Sequence, residues 1–230
     1  MKWTEEYRWL AAPLLRAGCL MLAPAGIFAA VTAIEISGAV DAWNRGISIW
    51  LQGPSGFAMT AFSSVDGWLF SAEVVAVLAA GAIAVLLKQR HWLLAASLTP
   101  LLAVVVVEVI FKYLIPEQPA SAYLQVRKLL STPSDVPAVL NHGFPSGHAS
   151  RIGFVLGWLA VVLTPPRYRP VAALITCLAA FFLCWTRIYA GDHSLLEIIG
   201  GLILAAVFLI PAAMLRSLDR GPRISRPPAR

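Results

Sequence analysis

The sequence predicts an all-α fold, an integral membrane bundle of six transmembrane helices, and two observations indicate this class. First, 59% of the 230 residues are hydrophobic and only 13% are charged, whereas soluble domains average roughly 25% charged residues. Second, apolar segments recur along the chain at about the length that a helix needs to cross roughly 30 Å of hydrocarbon. This composition leaves no room for a large soluble domain.

Six apolar segments define the predicted spans. They cover residues 17–36, 70–87, 92–111, 149–163, 170–184 and 196–215. The first could be taken for a secretory signal peptide, but it is long, and an uncleaved helix completes an even set of spans. The fourth and fifth are short, so we expect them to extend into flanking residues. Residues 1–220 are therefore predicted to form a single membrane domain, followed by a disordered Pro- and Arg-rich tail at 221–230.

The loop between the first two spans is rich in aromatic residues. Its middle part, from Asp41 to Gln52, has the alternation of polar and apolar residues that is typical of an amphipathic helix. We expect this helix to lie flat on the membrane interface, and contact with a substrate is a second possibility.

The charges indicate orientation in a membrane rather than binding to nucleic acid. The net charge is +6, but the basic residues lie in short connections and at the termini. They are Lys2, Arg8, Arg16, Lys88, Arg90, Arg167, Arg169, Arg216, Arg220, Arg223, Arg226 and Arg230. All fall on one side of a six-span protein, and the positive-inside rule makes that side cytoplasmic. Both termini are then cytoplasmic, and the compact size favours a prokaryotic inner membrane.

The first chemical motif is Phe144-Pro145-Ser146-Gly147-His148, directly before the fourth span. A turn that opens a helix presents free backbone N–H groups, and the helix dipole favours an anion there. Ser146 adds a hydroxyl donor, and His148 can transfer a proton near neutral pH. Taken alone, this motif is equally compatible with a turn and a structural histidine.

The second motif contains Thr186-Arg187, then His193, then Glu197. His193 and Glu197 are four residues apart, so on a helix the carboxylate can hold one imidazole nitrogen and leave the other available. An oriented histidine beside an anion-binding arginine suits nucleophilic attack on phosphorus. On the predicted topology both motifs fall on the outer face.

The two motifs together resemble the type 2 phosphatidic acid phosphatase superfamily. Its pattern is Lys-x6-Arg-Pro, then Pro-Ser-Gly-His, then Ser-Arg-x5-His-x3-Asp. The resemblance implies a six-helix membrane enzyme that hydrolyses a lipid phosphate or diphosphate at the outer face. It implies the following roles: His193 as a nucleophile that forms a phosphohistidine, Glu197 as its orienting carboxylate, His148 as general acid and base, and Lys112, Ser146, Gly147 and Arg187 as phosphate ligands.

No cofactor or metal is expected, because no His/carboxylate cluster outside the phosphate motif has the spacing of metal ligands. The expected partners are a membrane lipid substrate and the bilayer. A polyprenyl diphosphate, phosphatidic acid and phosphatidylglycerophosphate all fit as substrates. The sequence indicates no oligomeric state.

Two departures from the family pattern affect the site. Glu197 stands where the family has Asp, which keeps the carboxylate on a longer arm. The arginine of the first motif is missing, because strict spacing from Lys112 puts Pro119-Ala120 at the Arg-Pro position. Arg151, one helical turn after His148, is the first candidate to replace it, and the other interpretation of Arg151 is that it snorkels to the membrane interface. The alternatives are Arg127 and Lys128.

Glu108 lies four residues before Lys112 and could form an ion pair with it. That pair would be either purely structural or a means of directing Lys112 toward phosphate. Three other functions stay open. The first is a phosphotransferase that uses the same intermediate, and the second is a catalytically weakened protein that binds lipid or a partner, which the missing arginine favours. The third is a small transporter, which would place charges at mid-span rather than at span ends.

Overall fold

The described residues fold almost entirely into helices, and no strand occurs among them. The structure is a computed structural model and describes residues 8–115, 120–129 and 143–219. Its α-helices are α1 Arg8–Ser37, α2 Asp41–Gln52, α3 Phe57–Leu69, α4 Ala72–Lys88, α5 Trp92–Ala96, α6 Pro100–Leu114, α7 Gly147–Trp158, α8 Arg169–Tyr189 and α9 Leu195–Asp219. The predicted tail at 221–230 and the Pro119 position of the first motif lie outside the described residues.

The helices confirm the predicted all-α membrane fold. Four segments are long and apolar enough to cross a bilayer: Gly18–Ser37, Trp92–Leu114, Pro166–Tyr189 and Leu195–Arg216. At the second predicted span, α4 has 17 residues and qualifies only together with α3, from which it bends by 52°. At the fourth predicted span, Gly147–Leu163 is a shorter apolar helix. The count of six spans therefore stays a prediction.

Helices α7 and α9 approach each other closely because α7 presents glycines to α9. A Cβ atom at Gly153 would come within 2.9 Å of the Cβ of Ala205, and one at Gly157 would come within 2.6 Å of a Leu209 methyl carbon. Small residues at such a contact let helix backbones pack tightly in a membrane. The first motif opens α7, and His193 and Glu197 of the second motif lie at the start of α9, so this contact brings the two histidines together.

Helix α2 has the bounds expected from the sequence. Its buried residues are the polar Asn44, Ser48 and Gln52, which recur every fourth residue and face the protein. Trp50 on the other face is 76% exposed. The polar stripe thus packs on the protein, and the aromatic face is available to lipid.

Candidate active site

His193 lies in the turn between α8 and α9, and its side chain is held by the first turn of α9. The side chain is almost fully buried, and its Nδ1 atom lies 2.5 Å from Oε2 of Glu197. The other carboxylate oxygen accepts from the backbone N–H of Ser194 at 3.3 Å, and the Ser194 hydroxyl accepts from Glu197 N at 3.3 Å. This reciprocal capping box fixes the carboxylate. Because Nδ1 is engaged, Nε2 is the ring nitrogen that can act as a nucleophile.

The start of α9 receives two more caps from α2. Ser48 Oγ accepts from Leu195 N at 3.0 Å, and Asn44 Oδ1 accepts from Leu196 N at 3.0 Å. These N–H groups have no partner within the helix itself, so the two side chains satisfy them. Helix α2 therefore holds the helix that directly follows His193.

His148 is the second residue of α7 and faces His193. Its Nε2 atom lies 3.0 Å from the carbonyl oxygen of Gly67, in α3. A carbonyl only accepts, so Nε2 carries the hydrogen, and Nδ1 is left to accept a proton or, in the charged ring, to donate one. The centroids of the two imidazoles are 5.8 Å apart. Both rings can therefore reach a group that is bound between them.

Arg187, in the last turn of α8, is the centre of a buried ion-pair network that we call the Arg187 cluster (Asp66, Arg187, Asp192 and Lys128). Its Nη2 atom lies 2.9 Å from Asp66 Oδ2, and its Nη1 atom lies 3.3 Å from Asp192 Oδ2. It also donates to the carbonyl of Ser63. Lys128 binds the other oxygen of Asp192 at 2.6 Å. Opposed carboxylates and a carbonyl thus hold the guanidinium in place.

Lys112 and Arg151 share one carboxylate in what we call the Glu108 cluster (Glu108, Lys112 and Arg151). Lys112 Nζ lies 2.8 Å from Glu108 Oε1, and Arg151 Nη1 lies 2.7 Å from Glu108 Oε2. Arg151 also donates through Nε to the Phe70 carbonyl at 2.9 Å. A Cβ atom on Gly147 would collide with the Glu108 carboxylate. The carboxylate therefore lies against the backbone of the Pro-Ser-Gly-His turn.

Ser146 joins the two motifs. Its hydroxyl caps α7 by accepting from Ala149 N at 3.2 Å, and its own N–H donates to the Glu197 carbonyl at 2.9 Å. All eight residues expected from the sequence thus lie in one region: His193, His148, Glu197, Lys112, Ser146, Gly147, Arg187 and Arg151. Among the described residues, no group of three His, Cys, Asp or Glu side chains could hold a metal ion, and independence from a cofactor stays a prediction.

The two alternative replacements for the missing arginine are engaged elsewhere. Arg127 donates to the carbonyls of Gln52 and Gly53 and lies over the ring of Tyr189, 4.8 Å from its centroid. Lys128 belongs to the Arg187 cluster. Of the three candidates, Arg151 is the one that lies beside Lys112.

Helix α3 is the part of the site that the sequence did not reveal. It supplies the Ser63 carbonyl, the Asp66 carboxylate and the Gly67 carbonyl, where the sequence predicts only an aromatic loop. Asp66 was the available signal, because an acidic residue next to a span is costly unless it has a partner. Asp192, next to His193, could be taken for a helix cap, but Ser194 caps α9 and Asp192 binds Arg187.

A family model described as the PAP2 superfamily matches residues 90–218, which is more than half of the chain and includes both motifs. The chain belongs to the PAP2 superfamily. A solved PAP2 structure, a transmembrane PAP2 type phosphatidylglycerolphosphate phosphatase from Bacillus subtilis, is similar to it. The TM-score is 0.66 at 16% sequence identity, and the alignment covers 90% of this chain and 98% of that chain. This likeness shows that the fold is shared. A comparison with curated proteins found no match.

Proposed function

We propose that this PAP2 protein is a membrane phosphatase that hydrolyses a lipid phosphate or diphosphate through a phosphohistidine intermediate. The observation that carries the proposal is the arrangement of His193, whose Nδ1 is held by Glu197 at 2.5 Å while a second histidine lies 5.8 Å away between ring centroids. This pairing supplies a nucleophile and a proton donor to one phosphoryl group.

In the first step, Nε2 of His193 forms a bond to phosphorus while the bond from phosphorus to the leaving oxygen breaks. His148, protonated at Nδ1, gives its proton to that oxygen. The carboxylate of Glu197 stabilises the positive charge that develops on the His193 ring, as the buried acid of a catalytic triad does. Lys112, Arg187 and the Ser146-Gly147 turn would bind the phosphoryl oxygens.

In the second step, water attacks phosphorus and the N–P bond breaks, which returns the electron pair to Nε2. His148, now neutral, accepts the proton of the attacking water. Inorganic phosphate leaves, and both histidines regain their initial state. The same intermediate would react with another hydroxyl in a transferase, so adding acceptor lipids to the assay distinguishes the two outcomes.

Arg151 takes the place of the missing first-motif arginine in this proposal. Its guanidinium is held beside Lys112 by their common partner, Glu108. A guanidinium can bind two phosphoryl oxygens at once, which an ammonium group cannot match.

A lipid is the favoured substrate because the site lies in a bundle of apolar helices. A cavity of about 510 Å³ opens beside Glu197, and its walls combine the charged Glu35, Asp41 and Arg45 with the apolar Leu114 and Ile115. This mixture suits a charged head group with an apolar chain. Phosphatidylglycerophosphate, phosphatidic acid and a polyprenyl diphosphate are the first compounds to test. With cytoplasmic termini in a prokaryotic inner membrane, the site would face outward.

The test is release of inorganic phosphate from this lipid panel by the detergent-purified protein in the presence of EDTA. We expect His193→Ala to abolish release, whereas His91→Ala, an exposed histidine outside the site, should retain it. Acid-labile labelling of the wild type from a phosphate-labelled lipid should disappear in His193→Ala. Undiminished release by a folded His193→Ala protein would contradict the mechanism, and no release by the wild type would contradict the function.

A further inference from the structure

Glu108 binds the cations that the proposed mechanism assigns to phosphate. One of its oxygens lies 2.8 Å from Lys112 Nζ, and the other lies 2.7 Å from Arg151 Nη1. The side chain is only 4% exposed, and its carboxylate lies against Gly147 in the turn that opens α7. A carboxylate is planar and a phosphoryl group is tetrahedral, but both present anionic oxygens that accept hydrogen bonds from ammonium and guanidinium groups. Glu108 thus occupies donors that a phosphoryl group would need.

The charges of the site are closely balanced. The cations are Lys112, Arg151, Arg187 and Lys128, and each has a carboxylate partner within 3.3 Å. The carboxylates are Glu108, Asp66, Asp192 and Glu197. A phosphate group with two negative charges would add a large excess of negative charge to this buried region. A phosphate group that carries one proton has a single negative charge and would add half as much negative charge.

We propose that Glu108 competes with the phosphate group for Lys112 and Arg151, and that it thereby makes the site selective for a singly charged, proton-carrying phosphate over a dianion. This inference rests on the proposed function, because it assumes that Lys112 and Arg151 bind phosphoryl oxygens. Glu108 is the specificity-determining residue in this scheme.

Three charged or titratable groups face the Glu108 carboxylate. Lys112 comes from its own helix, Arg151 comes from α7, and His193 interacts with it electrostatically from the start of α9. The proton that reduces the repulsion is carried by the phosphate group, because Glu108 binds both cations as a carboxylate. Binding of phosphate is therefore expected to strengthen as the pH falls.

Sulfate and inorganic phosphate test this selectivity without turnover. Both are tetrahedral, but sulfate stays a dianion at about pH 5, whereas phosphate is then a monoanion. We expect the wild type, titrated by calorimetry with each anion in detergent, to bind phosphate about tenfold more tightly than sulfate at that pH, a difference of about 1.4 kcal/mol. Equal affinity for the two anions would overturn the proposal, and this arm needs no variant.

Glu108→Gln is the matching variant, because it keeps the shape of the side chain and removes its charge. We expect it to lose the preference for phosphate over sulfate and to bind phosphate about tenfold more tightly than the wild type near pH 8. Glu73→Gln, an exposed acid in the first turn of α4, is the control and should behave as the wild type. Weaker phosphate binding by Glu108→Gln at every pH would show that Glu108 only positions the cations, and would overturn the proposal.

The anion titrations also separate this proposal from the proposed function. If no lipid is hydrolysed but the anion selectivity is as expected, the activity assignment fails and the role of Glu108 stands. If lipids are hydrolysed and His193→Ala is inactive, but the wild type does not discriminate between the anions, the activity stands and the role of Glu108 fails.

Discussion

The Glu108 cluster and the Arg187 cluster flank the same pair of histidines, but their charges are arranged in opposite ways. In the Glu108 cluster two cations share one carboxylate, so it carries a net positive charge. In the Arg187 cluster two carboxylates hold one arginine and Lys128, so its charges cancel. The net positive charge of the Glu108 cluster can attract an anion. The balanced Arg187 cluster instead fixes a guanidinium in one orientation.

This difference indicates that a buried arginine in the proposed phosphate site can contribute a fixed orientation of its donors rather than an uncompensated positive charge. The bonds from Asp66, Asp192 and the Ser63 carbonyl leave Arg187 little freedom to turn. Preorganised donors of this kind need no rearrangement when charge develops in the transition state. In the proposed mechanism the Arg187 cluster thus supplies donors in a fixed orientation, and the Glu108 cluster supplies the electrostatic attraction for the phosphate group.

The largest effect should come from Arg187→Lys, which keeps the charge and loses the geometry. An ammonium group cannot reproduce bonds to Asp66 and Asp192 together, so a buried carboxylate loses its partner. We expect kcat/KM to fall at least about 100-fold and the protein to lose about 3–5 kcal/mol of stability. Lipid phosphate release and thermal unfolding measure the two effects, with Arg169→Lys, at the other end of α8, as the control. A fall in kcat/KM of less than about threefold would contradict a geometric role.

Arg151→Ala should have the next largest effect, because it removes from the Glu108 cluster the guanidinium that we propose as a phosphate ligand. We expect kcat/KM for the preferred lipid to fall about 100-fold, as when one donor to a developing oxyanion is lost.

The double variant Glu108→Gln/Arg151→Ala decides why activity falls. If Arg151 binds phosphate, the double variant stays well below the wild type, because removing the competing carboxylate does not replace the lost phosphate ligand. Recovery to the level of the wild type would mean that Arg151 serves only to neutralise Glu108. Unchanged phosphate release in Arg151→Ala alone would also contradict the assignment.

A smaller effect is expected from Ser48→Ala, because Ser48 supports His193 and Glu197 only indirectly, by capping α9. Loss of one helix cap costs about 1 kcal/mol of stability. Because the start of α9 then holds Glu197 and His193 less firmly, we expect kcat to fall about fivefold with little change in KM. Ser48→Thr keeps the hydroxyl and should restore most of kcat. A Thr variant as slow as the Ala variant would show that packing at this position matters and the cap does not.

The smallest effect should come from Lys128→Ala, because this side chain is 34% exposed and its ion pair is screened by solvent. We expect kcat/KM to fall about twofold at low ionic strength and to match the wild type at about 1 M salt. An equal deficit at both salt concentrations would mean that Lys128 acts by holding Asp192 in position rather than through its screened charge.

The sequence predicted the residues whose partners are close along the chain. His193 and Glu197 are one helical turn apart, and so are Glu108 and Lys112, so spacing alone was enough to pair them. The long apolar segments likewise predicted the spans at α1, α8 and α9. Such features depend on local periodicity, which a sequence displays directly.

The sequence did not predict partners that only tertiary packing brings together. Asp66 is 121 residues from Arg187, and Ser48 is 147 residues from Leu195. The bend of 52° between α3 and α4 was missed for the same reason, because the composition of a helix does not determine which neighbour it packs against. Polar residues in an aromatic loop therefore looked interfacial, although they serve the site.

The glycines of α7 have a consequence for how this protein tolerates change. Gly153 lies about 8 Å along its helix from His148, at about 1.5 Å per residue, and packs against α9 rather than against either histidine. A methyl group there would come within 2.9 Å of the Cβ of Ala205, which has no flexible end that could move aside, so α7 and α9 would separate and His148 would move away from His193. The distance between the two imidazoles therefore depends on how α7 packs against α9, and a substitution at this contact can abolish activity although every side chain of the site is chemically unchanged.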